Sequence, residues 1–179
     1  MVANGLFSGK LIYGITAWGT VWDLPGVLDM EKRCSPSLTL EDNRKLQVLQ
    51  NRVMRLATGL PWDSHVTTLL EKSGQLSVQQ LTAYHSILQV YKTKVSKQPG
   101  YLYSKLFPNA VANTTTRGQT TGNVRIENNL SLARSSFFYR ASKLWNSLPP
   151  DMKQQKSLAL FKSNIKSWIR ANVKGVPQK

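Results

Sequence analysis

The sequence predicts a mainly α-helical protein, an irregular helical bundle, and three observations carry this prediction. Apolar residues recur at helical spacing in most segments, while strand-like alternation is confined to one short stretch. Serine, threonine and aspartate precede several apolar runs, where they can cap helix N-termini. Hydrophobic residues make up 41% and charged residues 18% of the 179 residues, a composition typical of a folded globular chain.

The N-terminal part begins with an apolar segment, Leu6 to Trp22, which is followed by a predicted loop over residues 23–38. Thr39 and Asp42 have the spacing of a capping box and start a second helix, which ends where Gly59 interrupts the pattern. The residues predicted to form the core-facing side of this helix are Leu46, Leu49, Val53 and Leu56.

Three further helices are predicted before residue 108. A short helix over residues 64–73 ends at Gly74, and Ser77 with Gln80 forms a capping box for a longer helix. The apolar residues predicted on one side of that longer helix are Val78, Leu81, Tyr84, Leu88 and Tyr91. A short helix over residues 99–107 follows, beginning at a proline.

Residues 108–123 are rich in Asn, Thr and Gly and lack periodicity, so they are predicted to be a linker. This linker divides the chain into a helical region, residues 1–107, and a basic helical region, residues 124–179. Apolar residues alternate around two asparagines within 124–132, a pattern that favours a small β-hairpin near those residues.

Two more helices are predicted in the basic region. The first covers residues 135–147 and stops before two prolines, and the second is capped by Ser157. The apolar residues expected to face one way on the second helix are Leu158, Phe161, Ile165, Trp168 and Ile169.

The charge distribution indicates a polyanionic partner. The chain has 24 Lys and Arg against nine Asp and Glu, a net charge of +15. Residues 1–71 contain seven basic and seven acidic side chains, so the remaining 17 basic and two acidic side chains carry the whole excess. Uncompensated like charges favour binding to an anion, with nucleic acid the first candidate and an anionic membrane surface the second. A basic protein without such a partner remains the alternative.

The basic residues of the final helix recur every four positions and form one stripe beside its apolar face. These candidate phosphate contacts are Lys162, Lys166, Arg170 and Lys174. An ordinary solvated helix face explains the same pattern. No acidic residue lies between Met152 and Lys179 to form pairs within the helix, and this absence favours the binding interpretation.

A second candidate group lies on the preceding helix, where aromatic and basic residues are mixed over residues 134–145. Aromatic faces and cations together are typical of single-strand binding platforms. The aromatic residues also follow helical spacing, which favours core packing for them. The better binding candidates are therefore Arg134, Arg140 and Lys143.

The sequence predicts neither a catalytic centre nor a metal or cofactor site. Two histidines and a single cysteine do not make a convincing zinc set from Cys and His alone, and no glycine-rich phosphate loop occurs. The most apolar run, Leu11 to Trp22, is interrupted by glycine and threonine, so no membrane span is expected. Met1 to Gly9 lacks a basic stretch followed by a long apolar run, so no secretory signal is expected. With one cysteine, the chain fits a reducing compartment, and an intracellular location, nuclear or cytoplasmic, is expected.

Five segments resemble, in their order and spacing, the C-terminal part of reverse transcriptases of LINE-type, jockey-like non-LTR retrotransposons. They are LIYGITAWG (Leu11 to Gly19), LQVLQNRVMRLATG (Leu46 to Gly59), SGQLSVQQL (Ser73 to Leu81), SSFFYRASKLWNSLP (Ser135 to Pro149) and FKSNIKSWI (Phe161 to Ile169). The resemblance covers nearly the whole chain. It implies the end of the polymerase thumb and the basic region that follows it.

The resemblance implies an accessory role, in which helices grip RNA template, primer duplex or target DNA. The family's polymerase uses a metal-binding Asp pair in its palm, and this sequence contains no Asp-Asp pair. The chain is therefore expected to be a non-catalytic fragment of an RNA-directed DNA polymerase. One alternative is a helical interaction module that binds the upstream palm and fingers, or another protein, through Ile12, Ile15, Trp18 and Trp22. Another is a truncated pseudogene product without binding activity.

Overall fold

The computed structural model describes residues 9–18, 40–108, 122–126 and 136–173. Within these ranges it confirms the mainly α-helical prediction, with eight helices and no strand. The helices are α1 (Ile15–Trp18), α2 (Leu40–Thr58), α3 (Val66–Ser73), α4 (Val78–Ser96), α5 (Gly100–Leu106), α6 (Phe137–Asn146), α7 (Pro150–Lys153) and α8 (Leu158–Asn172).

Several predicted segments lie wholly or mainly outside the described residues. They include the loop at 23–38 and most of the linker at 108–123. Of the predicted hairpin, only residues 124–126 are described, and these form neither helix nor strand.

Helix α4 is the central element of the described structure. At least five of the other described helices pack against it, namely α1, α2, α5, α6 and α8. Of the predicted apolar side, Val78, Leu88 and Tyr91 are buried, and Leu81 and Tyr84 are half-buried and pack against the core. The buried surface is wider than predicted, because Ala83, Ile87 and Val90 are also buried. No Lys, Arg, Asp or Glu occurs between Lys72 and Lys92, so most of the circumference of α4 can be enclosed without burying a charge.

The predicted signals at the ends of α3 and α4 are largely confirmed. The Ser77 hydroxyl accepts from the Gln80 N–H at 3.3 Å, and the Gln80 side chain accepts from the Ser77 N–H at 3.1 Å, which completes the capping box. Gly74 ends α3 in the left-handed conformation, with φ of 65°. The N-cap of α3 is His65, whose ring accepts from the Thr67 N–H.

Helix α8 lies antiparallel to α4. The Tyr91 and Phe161 rings stack with centroids 4.0 Å apart, and the Trp145 ring lies 6.1 Å from Phe161. At the other end, the Gln80 amide nitrogen donates to the Val173 carbonyl at 2.9 Å. The side chain of the N-cap residue of α8, Ser157, makes no capping hydrogen bond, so tertiary packing rather than capping positions α8.

The regions predicted on either side of the linker share one hydrophobic core. Buried members before the linker are Ala83, Ile87, Leu88, Val90, Tyr91, Leu102 and Leu106. Buried members after it are Val124, Tyr139, Ala141, Leu144, Trp145, Leu148, Phe161, Ile165, Ile169 and Val173. The predicted boundary at 108–123 therefore does not divide the core of the described residues.

Helix α2 is rotated about its own axis relative to the prediction, so that only part of the predicted face turns toward the core. The predicted core residues Leu49 and Leu56 are 46% and 82% exposed, and Leu46 and Val53 are half-buried. The buried residues of α2 are Asn43, Gln47, Gln50, Asn51 and Met54. The core-facing side of this helix is thus mainly polar.

Hydrogen bonds to the start of α4 explain why α2 turns its polar side toward the core. The Gln47 side-chain oxygen accepts from the Val78 N–H at 3.0 Å, and the Gln50 amide nitrogen donates to the Leu76 carbonyl at 2.8 Å. Gln47 also donates to the side-chain oxygens of Gln50 and Asn51, at 2.9 Å each. The first N–H groups of a helix have no partner within it, so a buried N-terminus requires acceptors from a neighbouring element.

Residues 122–126 are held against α6 by side chains of that helix. The Asn146 side chain accepts from the Val124 N–H at 2.8 Å and donates to the Val124 carbonyl at 2.9 Å. The Trp145 indole N–H donates to the Gly122 carbonyl at 2.8 Å. The segment thereby places the Val124 side chain in the core.

We expect Asn146→Ala to lower the free energy of unfolding by about 1 to 3 kcal/mol, because it leaves both backbone groups of Val124 without their partner. Urea denaturation measures this change. Asn172→Ala is the matched control, since Asn172 is exposed and bonds only to the Trp168 carbonyl of its own helix. Equal midpoints for Asn146→Ala and the parent would contradict the assigned role of Asn146.

Candidate nucleic-acid interface

Three of the predicted stripe residues lie on the outer side of α8. Lys162 and Arg170 are exposed and Lys166 is half-buried. Successive members are separated by four residues, which corresponds to about 6 Å along a helix axis. The stripe borders the buried face formed by Phe161, Ile165 and Ile169. The fourth predicted stripe residue, Lys174, lies outside the described residues, and so does Arg134, the predicted contact that precedes α6.

Arg170 fixes one end of this stripe to another part of the fold. Its guanidinium donates to the Gly74 carbonyl at 2.9 Å, at the residue that ends α3. A guanidinium carries five N–H donors, so this bond leaves most of them available for an anion. The stripe is consequently held on a packed helix whose position is set by both the core and this contact.

Arg140 does not belong to the exposed surface. Its side chain is 3% exposed, and its Nε donates to the Ser136 carbonyl at 3.4 Å. Burial lowers the pKa of Arg140 to about 10. The prediction of Arg140 as a surface phosphate contact is therefore corrected, because α6 packs on α4 and α5 and turns this position inward.

Lys143 and the aromatic residues of α6 do not form an exposed platform on which bases could stack. Lys143 is half-buried, with its ammonium 5.8 Å from the Tyr139 ring centroid, and Lys105 lies 4.5 Å from the Phe138 centroid. Tyr139 and Trp145 are buried. The aromatic residues mainly build the core, as the helical spacing favoured, and Lys105 covers one face of the Phe138 ring.

Several exposed cations outside α8 were not singled out by periodicity, because they come from different elements. They are Lys92, Lys97, Lys105, Arg125 and Lys156. The Tyr91 hydroxyl donates to the Gln155 carbonyl at 2.9 Å, and Lys92 and Lys156 are the next residues in the chain. The C-terminal half of α4 and the segment before α8 therefore bring cations toward the same part of the molecule.

The exposed cations of the basic part have no carboxylate partners among the residues that the structure describes. The ion pair found in these ranges joins Arg44 to Glu41 at 3.9 Å, both on α2. Between residues 72 and 173, Asp151 is the one described carboxylate side chain. The exposed part of this charge excess is thus not neutralised by ion pairs within the described fold.

Two other lysines are turned inward and carry out structural roles. Lys153 is buried, and its ammonium donates to the Asn123 side chain at 2.8 Å and to the Asn146 carbonyl at 3.0 Å. The Lys94 ammonium donates to the Lys153 carbonyl at 2.8 Å and lies 5.7 Å from the Trp145 ring centroid. Burial lowers the pKa of both lysines, and the charge of Lys94 lowers that of Lys153 further.

A cleft of about 670 Å³ lies between α2 and the N-terminal ends of α3 and α4. Its lining includes Arg55, Asp63 and His65, and Arg55 donates to the Ser64 carbonyl at 3.2 Å. The arginine and the aspartate balance each other in charge, so this cleft has no pronounced preference for an anion. The charge argument therefore favours α8 over the cleft.

The alternative interface predicted near the N-terminus is only partly described. Ile15 is buried together with Leu11 and Val78, so it packs inside the chain rather than on a partner, while Ile12 is half-buried. Trp22 and the side chain of Trp18 lie outside the described residues. This corrects the assignment of Ile15 to a protein interface.

The described residues contain neither a cluster of metal-binding side chains nor a membrane-spanning helix. Among them, no group of three or more His, Cys, Asp and Glu residues is arranged to hold a metal ion. No helix in the same ranges combines the length and the apolar character needed to cross a membrane.

Comparison of the chain with protein families, curated proteins and solved structures finds no match. The resemblance to reverse transcriptases therefore depends on the five sequence segments alone.

We expect the inward lysines to make the free energy of unfolding rise with pH over the window that begins at their lowered folded-state pKa and ends near pH 10.5. In the unfolded chain their pKa is near 10.5, whereas folding lowers it, so the unfolded state binds more protons in this window. Stability then increases as the protons are lost. Urea unfolding at several pH values measures the slope.

Lys153→Met should flatten this slope, and Lys156→Met should leave it unchanged because Lys156 is exposed. A slope that is identical in the parent and Lys153→Met would contradict the assigned effect of burial on Lys153.

Proposed function

We propose that the chain is a non-catalytic nucleic-acid-binding module that grips the phosphate backbone through the exposed cations of its basic part. The single observation that carries this proposal is the uncompensated charge after residue 71. Seventeen basic side chains face two acidic ones there, and the described exposed cations lack carboxylate partners in the described fold. Phosphates are the ligands that neutralise such a surface, with release of counterions.

The distribution of the cations favours backbone contacts over base readout. They come from α4, α5, residues 122–126, the segment before α8 and α8 itself, rather than from one protruding recognition helix. Contacts spread in this way hold a nucleic acid in place but carry little sequence information. On α8, Lys162, Lys166 and Arg170 form the most regular part of this surface.

The resemblance to non-LTR retrotransposon reverse transcriptases supports the same proposal. The resembling segments include most of α2, the connection between α3 and α4, α6 and much of α8. Helices α6 and α8 supply several buried residues of the main core, including Trp145, Phe161 and Ile165. We propose that the chain corresponds to the end of the thumb and the following basic region of such an RNA-directed DNA polymerase. In this proposal it acts inside the cell, in the nucleus or cytoplasm, by holding template, primer duplex or target DNA.

Binding should weaken steeply as salt increases, with a log–log slope of about −0.9 per phosphate for duplex DNA and about −0.7 for single strands. Replacing Lys162, Lys166 and Arg170 together with Gln should flatten the slope by about two to three units and weaken all sequences alike. Fluorescence anisotropy with labelled RNA and DNA over a salt series measures both effects.

The matched control is Lys10→Gln, Lys45→Gln and Arg52→Gln together, all of which lie before the basic part of the chain. This variant removes the same number of exposed charges from outside α8 and should keep the parent slope. Because Arg170 also bonds to Gly74, the double variant Lys162→Gln, Lys166→Gln separates loss of charge from loss of that contact. An affinity that is insensitive to salt, or two triple variants with equal slopes, would refute the α8 interface.

The purified chain should not extend a primer on an RNA template in the presence of deoxynucleotides and Mg²⁺. The physical reason is that the sequence contains no adjacent Asp-Asp pair to hold the metal ions that polymerisation requires. Gel analysis of a labelled primer tests this, with an active reverse transcriptase as the positive control. Extension that copurifies with the chain through repeated chromatography would overturn the non-catalytic assignment.

A further inference from the structure

The outward face of α2 is a surface that the proposed nucleic-acid interface does not use. Its exposed apolar members are Val48, Leu49 and Leu56. Leu49 and Leu56 are one heptad apart and therefore separated by about 10 Å along the helix. Val53 lies between them and is half-buried. Single exposed apolar residues are ordinary, but a row of them along one helix is typical of an interface.

Hydrogen bonds fix the rotation of α2 about its own axis, and this rotation exposes the row. The buried amides of Gln47 and Gln50 bind the Val78 N–H and the Leu76 carbonyl. Turning Leu49 and Leu56 inward would break these bonds and leave buried polar groups unsatisfied, which is costly. The protein cannot hide the apolar row by a small rearrangement of α2.

The same face carries positive charge. Lys45 and Arg52 are exposed, and at 100° per residue they fall within the angular sector that contains Leu49 and Leu56. Glu41 and Asp42 lie one turn before Lys45, and the sequence has no acidic residue from there to Asp63. We call Lys45, Leu49, Arg52 and Leu56 the α2 face, which combines apolar anchors with two exposed cations.

The geometry points to an acidic amphipathic helix of a partner protein as the occupant of the α2 face. Apolar anchors at heptad spacing match the seam of a second helix, whose flanking carboxylates would pair with Lys45 and Arg52. Electrostatic complementarity of this kind selects the partner and its orientation.

Two other occupants fit the α2 face less well. A second copy of the chain would bring Lys45 and Arg52 against the same cations, and like charges in contact oppose association. A phosphate backbone would pair with the cations but would leave Leu49 and Leu56 without an apolar partner. Self-association through the α2 face, or binding of nucleic acid to it, would therefore contradict the proposal.

The test uses the full chain and designed helical peptides of about three heptads. The first peptide has a leucine seam flanked by glutamates, the second has the same seam flanked by lysines, and the third has glutamates with serines in place of the seam. Fluorescence anisotropy at physiological ionic strength should show binding of the first peptide only. Equal binding of the first and third peptides would overturn the proposal, because it would mean unspecific charge attraction.

Variants of the α2 face sharpen this test. Leu49→Ser with Leu56→Ser should weaken binding of the first peptide by about tenfold or more, whereas Leu160→Ser should not. Leu160 is a matched control because it is 62% exposed on α8. Lys45→Glu with Arg52→Glu should reverse the preference toward the lysine-flanked peptide. No effect of either double variant would refute the proposal.

Further measurements test the two other occupants and show whether this proposal and the nucleic-acid proposal fail independently. Sedimentation that shows a dimer of the parent and a monomer of the double-serine variant would assign the α2 face to a second copy, against the proposal. Loss of nucleic-acid affinity in the double-serine variant would assign it to nucleic acid, again against it. The Lys162, Lys166 and Arg170 triple variant should keep peptide binding, so a failure of the nucleic-acid proposal leaves this one standing.

Discussion

The buried first turn of α4 is the constraint on which the rest of the structure depends. Its N–H groups have no partner within the helix and no access to water, so acceptors must come from side chains. Ser77 and Gln80 supply the local acceptors, and Gln47 reaches across from α2. Because α2 must direct its amides toward α4, its leucines are left outside. A requirement for hydrogen bonding thus decides which surface of the protein is apolar.

Near the C-terminal half of α4, some lysines are turned inward and others are exposed. Lys94 and Lys153 extend over the core and satisfy carbonyl groups and an asparagine, which makes them part of the packing around Trp145. Lysines such as Lys92 and Lys156 remain outside, with no carboxylate found near them among the described residues. Counting charges along the sequence therefore overstates the binding surface, because part of the excess is structural.

The short connection between α3 and α4 joins the two proposed surfaces. Its Gly74 carbonyl accepts from Arg170 of α8, and its Leu76 carbonyl accepts from Gln50 of α2. The helices that carry the basic stripe and the α2 face are thus both hydrogen-bonded to the same connection between α3 and α4. This arrangement allows a single small fold to present a cationic surface and an apolar, cationic surface independently. The resembling segment Ser73 to Leu81 contains this connection.

The sequence by itself determined the helical class, most helix ends, the capping box at Ser77 and the excess of positive charge, because these follow from local periodicity, local hydrogen bonds and composition. Tertiary structure decided which side of each helix faces inward. Leu49 and Leu56 were predicted to be buried and are exposed, and Arg140 was predicted to contact phosphate and is buried. Periodicity defines the faces of a helix, but the neighbouring element decides which face is covered. For α2 this neighbour is α4, whose buried N-terminus requires hydrogen bonds that the amides of Gln47 and Gln50 supply and leucines cannot.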